Sequence, residues 1–450
     1  MVFAVVVVLL VIGTVAFHFL SPWWFTPIAS NWDTVDQTIN LTFWVTGIVF
    51  VLVNLFMAYC VIKFRHRHGQ TAHYEPENKK LEWWLTGITS VGIAAMLAPG
   101  LSVWAKFVTP PSTATVVEVL GQQWNWSYRL PGKDGALGAS DVKLINLENP
   151  FGIDPKDAKG QDDILIANPE LHLPLGQEVK MALRSIDVNH QFAVPQFRVK
   201  MDMVPGMVTS FWFKTTRTGS FDALCEQLCG LAHFAMRGRV VVEEQGEYDA
   251  WLAKQPTFTQ TQNVTAGDAN AGKSAYAVCS ACHGDQAQGN RDLNAPKLSG
   301  QASWYLVRQL QAFKQGMRGV HDLDVYGKQM APMVQTLVDD AAVKNVVTYI
   351  GSLPEVRPAP TVLGNPARGK ALYANCTSCH GASGQGIWAT NAPRLSNMSD
   401  WYLKHQLQNF QQDIRGTHGN DFYGSQMRSM AQAFSDPNAI NDLVDYIHTM

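Results

Sequence analysis

Two cysteines, a histidine and a methionine lie within twelve residues in the segment CEQLCGLAHFAM, which runs from Cys225 to Met236. Thiolate, imidazole and thioether donors together favour copper among the first-row metals. Cys225 and Cys229, as thiolates four residues apart, could bridge two copper ions so that the ions share one electron. The segment therefore predicts a copper site for electron transfer. A disulfide or two buried thiols are the alternatives for a CxxxC pair taken alone.

A copper loop of this kind needs a further imidazole from an upstream strand, and His190 is the candidate. It lies in SIDVNHQFAVPQF, thirty-five residues before Cys225. The alternation of apolar and polar residues in this segment predicts a β-strand.

The loop resembles the binuclear copper (CuA) loop of cytochrome c oxidase subunit II. The segments IDVNHQFAVPQFRVKMDMVPG and GQQWNWSYRL resemble further parts of that family. The resemblance implies six ligands: the imidazoles of His190 and His233, the bridging thiolates of Cys225 and Cys229, the axial thioether of Met236 and the backbone carbonyl of Gln227. Most of the family has glutamate where this chain has Gln227, and that side chain also reaches a magnesium site. The glutamine keeps the carbonyl but puts the magnesium role in question.

The same resemblance implies roles for two residues outside the loop. Trp124, the first tryptophan of WNW, matches the residue that passes electrons out of the copper site towards subunit I. If the resemblance is set aside, the alternative for Trp124 is an aromatic side chain in the core of a sheet. Glu82, in NKKLEWWLTGITSV, matches a glutamate that feeds protons into a channel of subunit I, and its alternative is an interfacial charge that reaches water.

Three hydrophobic runs predict transmembrane helices at about residues 2–20, 38–62 and 81–108, within a membrane region of residues 1–110. Each run is near or above the roughly 20 residues that span a bilayer. The loop at residues 63–80 is rich in lysine and arginine, which places it in the cytoplasm. Everything after Val108 then lies outside the bacterial inner membrane, on the periplasmic side. The first run lacks a basic n-region and an A-x-A cleavage site, so a retained helix is favoured over a signal peptide.

Short β-rich segments such as TATVVEVL and RGRVVVEE, separated by turn residues, predict an all-β cupredoxin domain at residues 111–255. The polar, turn-rich insert DGALGASDVKLINLENPFGIDPKDAKGQDD is assigned to surface loops, and residues 256–265 to a linker. The net charge is only −2, which gives no indication of nucleic-acid binding.

The rest of the chain repeats with a period of 97 residues and predicts two all-α cytochrome c domains, at residues 266–354 and 362–450. Each copy contains CxxCH, the attachment signature of c-type haem. The residues are Cys279, Cys282 and His283 in the first copy, and Cys376, Cys379 and His380 in the second. A redox disulfide or half of a zinc site is the alternative for a lone CxxC.

The opposite axial ligand should have the same place in both copies. Three pairs qualify: Met330 and Met427, Met333 and Met430, and His321 and His418. The resemblance to di-haem class I cytochromes c implies the first pair. It also implies that the carbonyls of Pro296 and Pro393 accept a hydrogen bond from the haem-ligating histidines, and a plain turn proline is the alternative.

The whole chain thus resembles subunit II of a haem-copper oxidase of the caa type with a fused di-haem cytochrome c. The resemblance implies a membrane-embedded subunit with a binuclear copper centre and two covalent haem c groups. It would pass electrons from a periplasmic donor, such as a cytochrome c or a bc complex, to subunit I. That partner, with subunit III beside it, would hold haem a and copper B, reduce O2 to water and pump protons. A copper-containing subunit of a nitric oxide reductase and a free-standing membrane-anchored electron carrier are the alternatives.

Overall fold

A computed structural model describes residues 2–21, 26–71, 76–146, 149–166, 168–230, 232–262, 267–388 and 390–450. These residues form three long N-terminal helices, a two-sheet β domain and two helical repeats. The predicted multidomain class is confirmed.

The three N-terminal helices are α1 (Val2–Leu20), α2 (Asp33–Lys63) and α3 (Lys79–Phe107). Each is long and apolar enough to cross a membrane. Helix α1 packs on α2 through Ala4, Val7 and Ala58, whereas most other apolar side chains face outwards, as lipid contact requires. The side chain of Asn78 accepts a hydrogen bond from the Leu81 amide and thereby caps the start of α3.

The β domain consists of two five-stranded sheets. Its strands are β1 (Thr115–Gln122), β2 (Asn125–Leu130), β3 (Ile164–Ile166), β4 (Glu170–Pro174), β5 (Glu178–Ser185), β6 (His190–Val194), β7 (Val199–Met203), β8 (Thr209–Lys214), β9 (Gly219–Cys225) and β10 (Arg237–Glu243). One sheet has the order β3-β2-β1-β5-β8 and the other β4-β10-β9-β6-β7. Alternate residues of β5 are buried, so the period-2 pattern of the sequence reflects one face turned to the core between the sheets.

Aromatic residues join the β domain to the outer ends of α2 and α3. The Trp32 indole donates to the Trp212 carbonyl over 2.8 Å, and the Trp212 indole donates to the Lys106 carbonyl over 2.7 Å. The rings of Phe107 and Phe211 stack with centroids 5.4 Å apart. These contacts hold the β domain directly against the membrane helices.

The insert and the linker contribute more to the β domain than the sequence predicted. Two helices, α4 (Gln245–Leu252) and α5 (Phe258–Gln262), follow β10. Phe258 is buried in a small core with Phe151 and Ile153 of the insert, so the domain extends to Gln262 rather than ending at residue 255. Residues 263–265 of the predicted linker lie outside the described residues.

A buried ion cluster attaches the end of the insert to the β domain. Arg129 of β2 pairs with Glu118 of β1 and with Asp163, the last residue of the insert. All three residues are nearly inaccessible to water. A buried charge is tolerated only when it is paired, so the assignment of the whole insert to surface loops was wrong.

The two repeats have the same helical plan around separate cores. The first contains α6 (Ala269–His283), α7 (Ser303–Lys314), α8 (Val325–Val334) and α9 (Asp340–Ser352). The second contains α10 (Pro366–Tyr373), α11 (Thr377–His380), α12 (Asp400–Gln411), α13 (Phe422–Gln432) and α14 (Ala439–His448). Helices α10 and α11 together correspond to α6.

Candidate copper and haem centres

Strand pairing brings His190 to the copper loop. The loop joins the end of β9 at Cys225 to the start of β10, and Phe192 of β6 pairs in register with Cys225. The Cys225 sulfur lies 3.9 Å from His190 Nδ1 and 3.7 Å from the Cys229 sulfur. The Cys229 sulfur lies 3.4 Å from His233 Nδ1.

The two weaker donors complete the cluster. The Met236 sulfur lies 3.8 Å from the Cys229 sulfur, and the Gln227 carbonyl oxygen lies 3.2 Å from the Cys225 sulfur. All six predicted ligand residues therefore meet in one place, mostly buried. Two thiolates, two imidazoles, a thioether and a carbonyl fit copper by their chemistry.

Asp187 is a functional residue that the sequence reasoning missed. Its carboxylate accepts hydrogen bonds from His190 Nε2 over 2.8 Å and from the Gln123 amide over 2.6 Å. The first bond leaves Nδ1 of His190 to face the metal site, and it fixes the orientation of the ring. The signal was present, because a carboxylate is a common partner for the second nitrogen of a ligating histidine and Asp187 lies three residues before His190.

The two thiols influence each other's ionisation. The hydrogen bond between them, with help from His190, lowers the pKa of Cys225 to about 3. The same bond raises the pKa of Cys229, which then keeps its proton. Only the thiolate binds metal, so ionising both sulfurs requires the positive charge of bound ions.

Gln227 offers its carbonyl to the copper site while its side chain is exposed. Within the described ranges, His190, Cys225 and Cys229 form the one group of three or more histidine, cysteine or acidic residues placed to hold a metal ion. In that part of the chain, no metal-binding cluster of acidic residues therefore lies beside Gln227.

Each CxxCH histidine is held by a proline carbonyl. His283 Nδ1 donates to the Pro296 carbonyl, and His380 Nδ1 donates to the Pro393 carbonyl, both over 2.8 Å. Burial lowers the pKa of both histidines, which keeps them neutral. The proton on Nδ1 leaves Nε2 unprotonated for an iron ion, and the predicted hydrogen bonds to the two proline carbonyls are confirmed.

The first methionine of each pair lies in the core of its repeat. Met330 packs in the core that contains Cys279, and Met427 in the core that contains Cys376. By contrast, the side chain of Met333 is 41% exposed. This placement favours Met330 and Met427 as axial ligands, and the choice stays a prediction.

The alternative histidines help to close their own loops. The Leu323 amide donates to His321 Nδ1 and the Asn420 amide donates to His418 Nδ1, both over 3.2 Å. His418 nevertheless lines a cavity beside the CxxCH residues of the second repeat, so the bis-histidine alternative is open there.

The second repeat contains a cavity of 530 Å³ lined by its CxxCH residues and Met427. Arg308 and Arg415 reach the same cavity from the interface between the repeats. Arg308 Nη1 and Arg415 Nε are buried and have no hydrogen-bond partner among the described residues. Unpaired buried donors call for an anionic partner, and the carboxylate groups of a haem meet that need. The cavity therefore fits a covalently held haem.

Trp124 lies between the copper loop and this cavity. Its indole donates to the Cys229 carbonyl over 3.2 Å, and the residue lines the cavity of the second repeat. Its own carbonyl accepts a hydrogen bond from Gln426 of α13 over 2.8 Å. The Cys379 sulfur lies 3.6 Å from the neighbouring Gln123 carbonyl. Trp124 thus faces the cytochrome repeat.

Gly230 permits this close approach of Trp124 to the copper loop. Its φ of +120° is one that residues with side chains rarely adopt. A Cβ atom at Gly230 would come within 2.7 Å of Gln123 Nε2 and 3.0 Å of the Trp124 ring.

Glu82 lies exposed in the first turn of α3, far along the chain from both centres. A negative charge at a helix N-terminus is favourable without any further function. The proton-entry role of Glu82 stays a prediction.

Comparison with known families divides the chain as the fold does. Residues 115–244 match the periplasmic domain of cytochrome c oxidase subunit II. Residues 269–354 and 366–450 each match cytochrome c.

Two relatives are oxidase subunits. An alternative cytochrome c oxidase subunit 2 from Bradyrhizobium diazoefficiens is 61% identical over 255 residues, which are 57% of this chain and 92% of the relative. Cytochrome c oxidase subunit 2 from Cereibacter sphaeroides is 29% identical, over 50% of this chain and 77% of the relative.

Two solved structures are similar to separate parts of the chain. The periplasmic domain of cytochrome oxidase subunit II from Bradyrhizobium japonicum is 29% identical, covers 32% of this chain and 95% of its own, and has a TM-score of 0.24. Cytochrome c4 from Pseudomonas stutzeri is 29% identical, covers 40% of this chain and 98% of its own, and has a TM-score of 0.33. The family matches and the identity to the Bradyrhizobium subunit, together with the copper-type cluster and the CxxCH repeats, show that this chain belongs to the cytochrome c oxidase subunit II family and carries two cytochrome c domains at its C-terminal end.

Proposed function

We propose that the chain is the electron-entry subunit of a respiratory cytochrome c oxidase in a bacterial inner membrane. It takes electrons from a periplasmic donor through its two repeats to the copper domain, and from there to subunit I. The contact of Trp124 with both the Cys229 carbonyl and the haem cavity of the second repeat is the observation that carries this proposal.

The residues of the chain hold the redox groups in fixed positions. A binuclear copper centre bound by the loop and two haem c groups bound by the CxxCH segments would supply reversible one-electron chemistry. Asp187 fixes the His190 ring, and Pro296 and Pro393 fix the two haem-ligating imidazoles. Rigid ligands change little in geometry between redox states, so little reorganisation opposes each transfer.

We assign Trp124 to electron entry rather than to the exit that the family resemblance implied. Trp124 lines the cavity of the second repeat, which is the donor side of the copper domain. The covalent connection between repeat and copper domain keeps the effective concentration of the donor high without a diffusional encounter.

Oxygen reduction belongs to a partner chain in this proposal. The three membrane helices contain one histidine, His18, and therefore no cluster of imidazoles for a haem-copper centre. Subunit I with haem a and copper B, accompanied by subunit III, would reduce O2 and pump protons.

Purification in mild detergent followed by metal and haem analysis tests the proposed function. We expect two copper ions and two covalent haems per chain, together with a partner that contains haem a and consumes O2. A complex that consumes nitric oxide instead would identify a reductase, and a chain that purifies alone would identify a free electron carrier. Either result would contradict the proposal.

A further inference from the structure

The second repeat docks on the copper domain through one defined face, made of Cys379, Phe422, Gln426 and Met430. Phe422 lies under the Arg239 guanidinium, 5.0 Å from ring centroid to Cζ. Met430 packs against the core of the β domain. Together with the contacts of Gln426 and Cys379 to Trp124 and Gln123, these residues form the docking face.

The corresponding face of the first repeat lies 97 residues earlier in the sequence. It consists of Cys282, Val325, Gln329 and Met333, which we call the outer face. All four residues are exposed, with Val325 at 56% and Met333 at 41% of their full accessibility. Two further apolar residues beside it, Val320 and Leu323, are 59% and 69% exposed. One copy of the face is thus covered and the other is open to solvent.

We infer that the outer face is the docking site for the protein that supplies electrons to this chain. This inference rests on the proposed function. The covered copy shows that a face of this composition brings a CxxCH cysteine within 3.6 Å of the backbone of a neighbouring redox domain. The open copy presents Cys282 in the same way, so a partner seated there lies equally close to the haem-binding segment of the first repeat.

The charges on the outer face favour a partner whose own contact surface is apolar and uncharged. The Lys328 ammonium pairs with the Asp322 carboxylate over 2.7 Å, so these two exposed charges cancel. Exposed apolar patches mark interaction sites, and a neutral patch gives little long-range steering. The partner is therefore a one-electron carrier protein whose metal edge is ringed by apolar side chains.

The electron balance of the step is simple. The reduced carrier loses one electron and the oxidised first repeat gains it, with no bond made or broken and no proton transferred. Encounters of this kind bury little surface and dissociate quickly, for which a small apolar face is sufficient.

Matched lysine substitutions in the complete oxidase complex test the inference. The variants are Val325→Lys and Met333→Lys, and the control is Val356→Lys, which changes a residue of the connector between the repeats that is 52% exposed. The protein donor is a reduced blue-copper protein with an apolar copper edge, and the small reductant is hexaammineruthenium(II). Stopped-flow absorbance gives the rate of haem reduction, and calorimetry with the zinc-substituted donor gives the affinity.

We expect each outer-face lysine to slow reduction by the protein donor about tenfold and to weaken its binding by a similar factor. The control variant and all rates with the small reductant should be unchanged. The wild-type rate should change less than about twofold between roughly 20 and 200 mM salt.

Unchanged binding and rates in both outer-face variants would overturn the inference. So would a preference for a cytochrome c whose haem edge is ringed by lysines, with a rate that falls steeply with salt. If hexaammineruthenium(II) fails to reduce any c-type haem in the wild-type complex, the proposed function itself fails, and the two failures are thus distinguished.

Discussion

The two cytochrome repeats have one fold and different neighbours. Their interiors agree closely: each holds its CxxCH histidine by a proline carbonyl at the same 2.8 Å, and each buries the same tyrosine, Tyr276 or Tyr373. Their docking faces differ, since Val325 of the first repeat corresponds to Phe422 of the second. The shared interior fits a haem site of one kind in both repeats, and the differing faces fit the different neighbours of the two repeats.

The largest effect should come from removing an axial methionine. Met427→Leu should slow reduction of the copper domain by the donor by roughly a hundredfold, because the second repeat is the one that contacts Trp124. Met330→Leu should slow reduction of the copper domain by the protein donor to a similar extent. A small reductant should still reduce the copper domain of this variant through the second repeat. Flash-induced absorbance changes at the copper and haem bands measure the reduction rates of both variants.

Met333→Leu and Met430→Leu are the matched controls for the axial ligands. Both should keep the near-infrared band that marks methionine bound to ferric haem. Loss of that band in Met430→Leu, with retention in Met427→Leu, would reverse the ligand assignment.

A smaller effect should follow from loosening the docked repeat. The double change Phe422→Ala and Gln426→Ala removes a cation–π contact and a hydrogen bond, each worth about 1 kcal/mol. We expect transfer from the second repeat to the copper domain to slow about tenfold. The register-matched pair Val325→Ala and Gln329→Ala should leave that rate unchanged, and an equal slowing in both pairs would mean that docking depends on the whole tandem repeat.

Acid stability should also separate the repeats, because Asp400 of the second corresponds to Ser303 of the first. Burial alone would raise the pKa of Asp400, but hydrogen bonds from the amides of Thr361 and Val362 outweigh it and lower the pKa. A carboxyl group with a lowered pKa stabilises the fold above its unfolded value of about 3.9, and this contribution is lost as the pH falls through the folded value.

Asp400→Asn should therefore destabilise the second repeat by about 1–3 kcal/mol at neutral pH and much less in acid. Thermal melts followed at the haem absorbance of each repeat measure this, with Ser303→Asn as the control. A constant difference across the pH range would show that the charge of Asp400 does not contribute.

The ligand residues could be predicted from the sequence because their chemistry is local. Cys225 to Met236 and each CxxCH lie within one loop or one helical turn. The position of the second repeat could not be predicted, since Gln426 meets Trp124 across 302 residues and neither residue carries a pattern that specifies the other. Phe258 was missed for the same reason, because a lone phenylalanine in a polar segment does not show which core it joins.

The smallest effect should come from Glu355, in the connector between the repeats, because its carboxylate pairs with one residue of each repeat. Lys297 and Arg394 have the same place in the two repeats, and their nitrogens lie 3.7 Å and 2.9 Å from one Glu355 carboxylate oxygen. Lys297 also donates to the Asn397 carbonyl over 2.7 Å, so it keeps a partner when the carboxylate is lost. Glu355→Gln should lower the free energy of unfolding by less than about 1 kcal/mol. Its only other effect should be faster hydrogen exchange where the repeats meet. A larger loss, or slower transfer to the copper domain, would show that the first repeat also holds the second in place.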